Sequence, residues 1–454
     1  MGVNVAGYLD SALGVGVVAR RIVSACAEAG VPVAAHALPA ADAAALPGAE
    51  APREAARHPV SLICVNAEGL EGAYSELGEE WFGEPYSIGF WWWEAGAFPD
   101  RWERAFDVLD EVWVGSHHVA GILAPVAPVP VVRMPVPVEL PGGAAAGRSD
   151  LGLPDGLLFL TVFDYGGVFG RKNPVSAIDA FRRAFEPGER VSLAVKCSGA
   201  DRHPEQHARL LEAAAADDRI HVIDRVLADG EMAGLLRSCD FYVSLHRSEG
   251  FGLPIAEAML AGKPVVATGY GGPADYLSER TGFPVGYRLA EIGEGQAPYP
   301  PDGTWAEPDA EHAAALMRHV VEHPDDAARR GERAREHMER EHSSEAAGKA
   351  MGERVARVAG LPAGADGRAA TVSTDELLRR IRAEPAPAGR VGPLRASVRR
   401  AALRLGRPQA THQRMVDEEL ARALRTLDER VQGLAASNAS LLAEVQELRR
   451  RLGE

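Results

Sequence analysis

The chain has 454 residues, a formal net charge of −15 at pH 7 and 46% hydrophobic residues, which predicts two domains with an appendage and argues against a general nucleic-acid partner. No apolar run approaches the ~20 residues that span a bilayer, and the stretch "MGVNVAGYLDSALG" has neither the basic nor the apolar region of a signal peptide. The four cysteines lie far apart in apolar surroundings, as buried thiols do in a reducing compartment, so we expect a cytoplasmic protein.

Hydrophobic segments of strand length alternate with helix-like segments along most of the chain. The first series is "VNVAGYL", "VPVAAHAL", "VSLICVNA", "YSIGFWWW" and "EVWVGS", and after "PVPVELPGG" comes a second, "LLFLTVFDY", "RVSLAVKCSG", "RIHVID", "DFYVSLH" and "PVVAT". These runs are almost continuously apolar, which is typical of parallel strands covered on both faces. The two series predict an α/β protein with two doubly wound, Rossmann-like domains that face a cleft, residues 1–142 and 143–358.

A linker is predicted for residues 359–410, because much of this segment is rich in Ala, Gly and Pro. Within it, residues 390–408 read "RVGPLRASVRRAALRLGRP", with six arginines, no acidic residue and an apolar helical face. Two interpretations stay open: a helix at the membrane surface attracted to anionic lipid, or a basic helix on the acidic body of the protein. The first would give peripheral contact with the membrane and would suit a lipid-linked substrate.

A coiled coil is predicted for residues 411–454. Leucines recur there every seven residues, at Leu420, Leu427, Leu434, Leu441 and Leu448. The offset positions are aliphatic except for Asn438, and an Asn at such a position fixes the register of a parallel two-stranded coil. We therefore expect a homodimer, the alternative being a single amphipathic helix that lies on the body of the protein.

The stretch "HRSEGFGLPIAEAM", residues 246–259, places two glutamates around a glycine turn after a strand. Backbone amides freed by Gly250 and Gly252 can face an anion at the start of a helix, where the helix dipole helps. Glu249 lies in the loop, and Glu257 is expected about one turn into the helix, on its exposed end. Carboxylates suit sugar hydroxyls and not phosphate, so the segment predicts a ligand with two polyol parts and an anionic bridge, which describes a nucleotide sugar.

This stretch, with the following "GKPVVATGYGGPADYL", resembles the E-x7-E motif of glycosyltransferase family 4, retaining enzymes of the GT-B fold. The resemblance covers roughly residues 1–355. It implies that Glu249 contacts hydroxyls of the transferred sugar and that Glu257 holds the nucleotide ribose. It also implies that sugar and diphosphate are held by the backbone amides of Phe251, Gly252 and Leu253.

A second marker of the resemblance is "FDYGGVFGRKNPVSAIDAF". It is similar to the family's strand, loop and helix in which a lysine reaches the diphosphate, and Lys172 occupies that position. Many relatives also carry an arginine just after the strand, where this sequence has Asp164 and Tyr165. Either Arg171 or Arg247 is expected to take the place of that arginine.

The first domain supplies two further candidates. Gly14 and Gly16 follow the first strand, so their loop can approach a bound anion closely. In "IGFWWWEAGAFP", strand alternation prevents three tryptophan rings from joining one core patch, and Glu94 follows them at the cleft end. Glu94 is expected to orient the acceptor hydroxyl or touch the donor sugar, the alternative being tryptophans as core fillers with Glu94 paired to an arginine. His117 and His118 are expected to begin a helix.

The resemblance implies a retaining hexosyl transfer from a nucleotide-diphosphate sugar to a glycan, lipid-linked or other glycoconjugate acceptor. GDP-mannose is a frequent donor among similar sequences. The chain contains no Asp-x-Asp, so we expect neither a metal nor any other cofactor. Two alternatives stay open: a GT-B phosphorylase or sugar-phosphate synthase, and a weakly active scaffold that recruits a partner through its coiled coil.

Overall fold

The computed structural model describes residues 1–40, 52–143 and 146–360. The predictions for the linker beyond residue 360, for the basic segment 390–408 and for the coiled coil and homodimer of residues 411–454 lie outside these residues.

The first part of the chain forms a parallel six-stranded sheet in the order β2-β1-β3-β4-β5-β6. All five residues of β1, which lies between β2 and β3, are buried, as expected for a sheet covered on both faces. The strands β1 to β6 are Val3–Gly7, Val33–Ala37, Val60–Cys64, Tyr86–Trp91, Glu111–Val114 and Val131–Arg133. The helices α1 to α4 are Gly14–Glu28, Leu70–Leu77, Glu79–Phe82 and His117–Leu123.

The second part forms another parallel six-stranded sheet, in the order β12-β11-β10-β7-β8-β9. Its strands β7 to β12 are Leu157–Val162, Val191–Cys197, Ile220–Asp224, Phe241–Ser244, Val265–Thr268 and Phe283–Val285. The helices α5 to α9 are Phe169–Lys172, Pro174–Ala184, Pro204–Ala215, Asp229–Ser238 and Leu253–Leu260. The helices α10 to α12 are Ala310–Glu322, Pro324–Glu341 and Ser344–Val358.

All ten segments predicted as strands contain a strand, which confirms two doubly wound α/β domains. An antiparallel hairpin was not predicted; its strands are β13, Tyr287–Glu291, and β14, Thr304–Pro308. Four of the five residues of β13 are exposed, so this strand lacks the apolar run that identified the others. The short strands β6 and β12 were missed as well, since three residues carry too little pattern.

The helix α12 returns to the first sheet and packs against α1. Its Met351 and Val355 belong to the same buried cluster as Val18 and Ile22 of α1. The backbones approach closely, because a Cβ at Gly348 would lie 2.1 Å from the Ala25 carbonyl oxygen. The last helix of the described chain thus completes the core of the first domain, although the domain boundary at residue 142 remains a prediction. No helix among the described residues has the length and hydropathy needed to cross a membrane.

Candidate active site

The loops that follow β4 and β10 meet between the two sheets. The Ser248 hydroxyl donates a hydrogen bond of 2.6 Å to the Glu94 carbonyl oxygen. The Ser116 hydroxyl, which also caps α4, donates one of 2.6 Å to the Gly250 carbonyl oxygen. Because strands of both sheets end here, the candidate side chains of the two domains come together at one place, as expected for open α/β sheets.

Glu249 lies between two cations at this place. Its Oε1 is 2.6 Å from Lys172 Nζ, and its Oε2 is 3.1 Å from Arg171 Nη1. Glu249 is 8% exposed and Arg171 5%, so water screens these pairs weakly. Burial alone would raise the pKa of Glu249, but the charges of Lys172 and Arg171 lower it to about 2. Glu249 is therefore ionised at neutral pH.

A strained turn positions the two cations. Val168, just before α5, has a φ of 64°, which is costly for a β-branched residue and is typical of functional sites. The turn lets Arg171 Nη1 donate to the Ser248 carbonyl oxygen at 2.9 Å. Asn173, with a φ of 51°, ends α5 and donates from Nδ2 to the Leu245 carbonyl oxygen at 2.9 Å. The segment is thus fixed to the end of β10, beside Glu249.

Glu94 extends the group of charges toward the first domain. Its Oε1 is 3.7 Å from Arg171 Nη2, and its Oε2 accepts a hydrogen bond of 2.7 Å from the Tyr299 hydroxyl. Burial raises the pKa of Tyr299 well above its usual value, so the phenol stays protonated and donates. A continuous chain of polar contacts results, running from Tyr299 through Glu94, Arg171 and Glu249 to Lys172.

The three tryptophans before Glu94 divide between two environments, which confirms that they do not all share one core patch. Trp91 and Trp93 are 1% and 3% exposed and belong to a core cluster of the first domain. Trp92 is half-buried on the opposite side, 6.4 Å between ring centroids from Phe251. Stacking of a sugar on Trp91 or Trp93 is therefore excluded by their burial. His117 and His118 begin α4, as predicted.

The glycine loop before α9 is tightly built. Gly252 has a φ of +84°, and a Cβ there would lie 2.9 Å from Pro273 Cγ, so glycine is required. The Tyr276 hydroxyl donates to the Phe251 carbonyl oxygen at 2.6 Å. Among the described residues, no acceptor takes a hydrogen bond from the backbone amides that the sequence identified, those of Phe251, Gly252 and Leu253. These donors lie at the amino end of a helix, where an anion is favoured.

Glu257 departs from the expectation, because it is buried and not on the exposed end of its helix. It is 7% exposed, and its Oε1 is 2.6 Å from Nη2 of Arg21 on α1. Burial raises the pKa of Glu257, and Arg21 acts against this by favouring the carboxylate. This contact between α9 and a helix of the first domain is what buries Glu257, and the sequence pattern alone did not indicate it.

Of the two arginines expected near the diphosphate, Arg171 contacts Glu249 and Arg247 does not. Arg247 makes two contacts with the carboxylate of Glu307 on the hairpin, at 2.6 and 3.0 Å. It also lies over the Trp305 ring, 5.2 Å from the centroid. With its charge paired in this way, Arg247 fastens the hairpin to the loop after β10.

The two glycines of the first domain lie in different environments. Gly14 begins α1, is exposed, and has open space where a Cβ would be. A Cβ at Gly16 would lie 2.4 Å from the Tyr8 carbonyl oxygen. Gly16 is therefore required for close packing against the Tyr8 backbone. Of the two glycines, Gly14 is the one whose backbone a ligand can approach.

Four residues of this site were not predicted: Arg21, Ser116, Ser248 and Tyr299. The sequence could have identified Ser116, since a serine before "HHVAGIL" is a typical helix N-cap. Arg21 is a charged residue on an otherwise apolar helix face, which is a weaker signal. Within residues 1–40, 52–143 and 146–360, no group of three His, Cys, Asp or Glu side chains has the arrangement of a metal site.

Comparison with known proteins gives a family match for part of the chain. Residues 160–337 match the family model described as glycosyl transferases group 1. A D-inositol 3-phosphate glycosyltransferase from Stackebrandtia nassauensis is 35% identical over 147 residues, which cover 30% of this chain. The match spans only 31% of that relative's length.

Two solved structures resemble the fold. Sucrose-phosphate synthase from Thermosynechococcus elongatus has a TM-score of 0.57 at 17% identity, over 79% of this chain and 99% of that one. HepE from Anabaena, in complex with UDP and glucose, has a TM-score of 0.55 at 13% identity, over 79% of this chain and all of that one. The chain therefore has the two-domain α/β GT-B fold, and its second domain carries the match to the group 1 glycosyl transferases.

Proposed function

We propose that the chain is a retaining, metal-independent glycosyltransferase that moves a hexose from a nucleotide-diphosphate sugar to a glycan, lipid-linked or other glycoconjugate acceptor. The observation that carries this proposal is the placement of Glu249 between Lys172 and Arg171, at the point where strands of both sheets end. The family match of residues 160–337 supports the same class of reaction.

The site has the parts that a nucleotide-sugar donor requires. Lys172 and Arg171 supply positive charge for a diphosphate, and the amides before α9 supply hydrogen-bond donors. Glu249 and Glu257 supply acceptors for hydroxyl groups of the sugar and of the ribose. The neighbouring HepE structure holds UDP and glucose, which supports a donor of this chemical class.

In this mechanism the protein positions the reactants and stabilises the charge that develops on the leaving diphosphate. The departing phosphate oxygen accepts the proton of the attacking hydroxyl on the same face of the sugar, so the anomeric configuration is retained. Glu94 reaches the site from the first domain and accepts from an incoming hydroxyl. Its link to Arg171 and Tyr299 fixes its orientation.

A sugar-phosphate synthase is the second candidate. The fold neighbour from Thermosynechococcus elongatus is a sucrose-phosphate synthase, and the curated relative is named for D-inositol 3-phosphate. Both names contain a phosphorylated polyol or sugar. A phosphorylated acceptor would place a second anion near the cleft, whereas a lipid-linked acceptor would depend on the predicted basic segment 390–408.

Calorimetric titration with UDP-, GDP- and ADP-sugars, without added metal and in the presence of a chelator, tests the proposal. We expect saturable binding of one donor, and a loss of at least about tenfold in affinity in Glu257→Gln, because a neutral amide accepts from hydroxyls more weakly than a carboxylate. Glu189→Gln is the matched control, since Glu189 pairs with Arg318 away from the cleft.

The next step is to incubate the bound donor with inositol phosphate, hexose phosphates and unphosphorylated glycans. NMR of the product then reports the anomeric configuration, and a phosphorylated product would favour the synthase. If no donor binds the full chain, the proposed function is wrong.

A further inference from the structure

Arg21 connects three parts of the molecule. It lies on α1 of the first domain, and its Nη2 is 2.6 Å from Oε1 of Glu257 on α9 of the second. The same nitrogen donates at 2.9 Å to the carbonyl oxygen of Glu139, in the segment between β6 and β7 that joins the two sheets. No sequence motif marks Arg21, and the proposed transfer reaction assigns it no role.

The hydrogen bonding of Arg21 is incomplete. Its Nη1 is closed off from solvent and has no hydrogen-bond partner among the described residues. Arg354 gives the contrast: its Nε and Nη2 contact both carboxylate oxygens of Glu111 in a fully buried pair. A buried donor without an acceptor is costly and rare in folded proteins, so the pair of Arg21 and Glu257 is not built as a saturated structural ion pair.

The hydrogen bonding of the Glu257 carboxylate is incomplete as well, but here it is a donor that is missing. Arg21 donates to Oε1, and within the described residues it is the one side chain that donates to this carboxylate, which leaves Oε2 without a donor. Each partner of the pair therefore keeps one atom without a hydrogen bond in the described part of the chain, the donor Nη1 of Arg21 and the acceptor Oε2 of Glu257. A hydroxyl group is both donor and acceptor, so hydroxyls of one ligand can donate to Oε2 of Glu257 and accept from Nη1 of Arg21. A phosphate oxygen could not serve both, since at neutral pH it mainly accepts.

We propose that Arg21 is a donor-binding residue of the first domain, which forms with Glu257 a joint site for the ribose hydroxyls of a nucleoside diphosphate. This inference rests on the proposed function and deepens it. Because Arg21 also holds the Glu139 carbonyl oxygen, ligand binding at this site ties α1, α9 and the segment that joins the two sheets together.

The test compares a nucleoside diphosphate with its 2′,3′-dideoxy analogue by calorimetry on the full chain. UDP, GDP and ADP are tried first, and the one that binds is used. In the wild type we expect removal of both hydroxyls to weaken binding by about 10- to 100-fold, as for hydrogen bonds to charged groups. In Arg21→Met and in Glu257→Gln the same removal should weaken binding by less than about threefold, because the joint site is gone.

A matched control is Arg354→Met, which breaks a buried arginine–glutamate pair of the same domain without touching the site. It should keep the wild-type ratio between the two ligands even if it loses stability. Arg21→Lys keeps the charge next to Glu257 but has no second planar nitrogen, so its ratio should also fall. Circular dichroism verifies that each variant is folded, and Arg21→Lys replaces Arg21→Met if the latter does not fold.

The outcomes separate the two proposals. If Arg21→Met and Arg21→Lys keep the full wild-type ratio while Glu257→Gln loses it, Arg21 has only a structural role and this inference is overturned. If the wild-type chain binds none of the three nucleoside diphosphates, the proposed function fails and the inference fails with it.

Discussion

The Tyr299 hydroxyl donates a hydrogen bond of 2.7 Å to Glu94 Oε2, across 205 residues of sequence. Tyr299 lies in the loop of the hairpin formed by β13 and β14, and Glu94 follows β4 of the first domain. The hairpin makes two more contacts with the first domain, from Gly96 N to the Thr304 carbonyl oxygen of β14 at 3.2 Å and from Arg101 to the Pro298 carbonyl oxygen of the loop at 2.9 Å. The orientation of Glu94 therefore depends on a hairpin of the second domain.

Tyr299→Phe should lower the turnover number by about tenfold with little change in donor affinity. The variant keeps the ring, which packs 5.1 Å from the Trp93 ring between centroids, and removes only the hydrogen bond to a charged group. The rate of nucleoside diphosphate release from the donor measures turnover, and calorimetry measures affinity. Tyr287→Phe, at an exposed position of the same hairpin, is the control. Equal turnover in wild type and Tyr299→Phe would show that Glu94 does not need this contact.

Glu249→Gln should lose both activity and stability. The neutral amide leaves the buried Lys172 without its ion-pair partner and leaves Arg171 with only the 3.7 Å contact to Glu94. Breaking a buried pair in this way costs about 3–5 kcal/mol. Urea unfolding at pH 7 measures the loss of stability. Adding Lys172→Met to Glu249→Gln should recover part of the free energy of unfolding, because one uncompensated charge is removed, but no activity. If Glu249→Gln alone is as stable as the wild type, the ion-pair geometry is contradicted.

Gly14→Ala and Gly16→Ala should separate folding from binding. At Gly16 the new methyl group would meet the Tyr8 carbonyl oxygen at 2.4 Å, so we expect a loss of about 1–3 kcal/mol of stability, as for overpacked sites. At Gly14 there is open space, so stability should stay within about 1 kcal/mol. If the loop approaches a bound diphosphate, Gly14→Ala will nevertheless weaken donor binding. Unchanged donor affinity in Gly14→Ala would remove this loop from the site.

Stability should fall as the pH drops from about 6.5 to about 4. Burial lowers the pKa of His246 and of His342 to about 4, against about 6.5 in an unfolded chain. Between these values the unfolded state binds more protons than the native state, so the free energy of unfolding decreases as the pH falls. Each histidine should cost about 2 kcal/mol by pH 5.

Urea unfolding at pH 7.5, 6 and 5 measures this dependence. His342→Asn should flatten it, since an amide can still donate to the Val136 carbonyl oxygen that His342 Nδ1 contacts at 3.1 Å. The low pKa of Glu249, about 2, acts only below about pH 4.5. If the free energy of unfolding of His342→Asn falls with pH as steeply as that of the wild type, His342 is not a source of the pH dependence.

Ten of the twelve strands of the two sheets could be predicted, because buried parallel strands of ordinary length are nearly continuous apolar runs. The hairpin could not, since four residues of its first strand face solvent and carry no apolar pattern. Its side chains Tyr299 and Glu307, which contact Glu94 and Arg247, were therefore missed as well.

The site was predictable to the extent that its residues follow strands in recognisable loops. The sequence placed Glu249, Lys172 and Glu94 at one edge of two sheets, but it could not choose between Arg171 and Arg247. That choice depends on which carboxylate each arginine meets, Glu249 or Glu307. The link between Arg21 and Glu257 spans 236 residues, and no spacing rule connects two charges in separate domains.

Helix α12 packs against α1, but the ribosome makes α12 long after α1. When residues 1–142 have been made, α1 still lacks the helix that packs against it beside Ala25. At about 5–20 residues per second, the ribosome needs on the order of tens of seconds more to reach α12. The growing chain thus exposes an apolar stripe during this interval, and chaperones that bind such stripes would meet the first domain before it is complete.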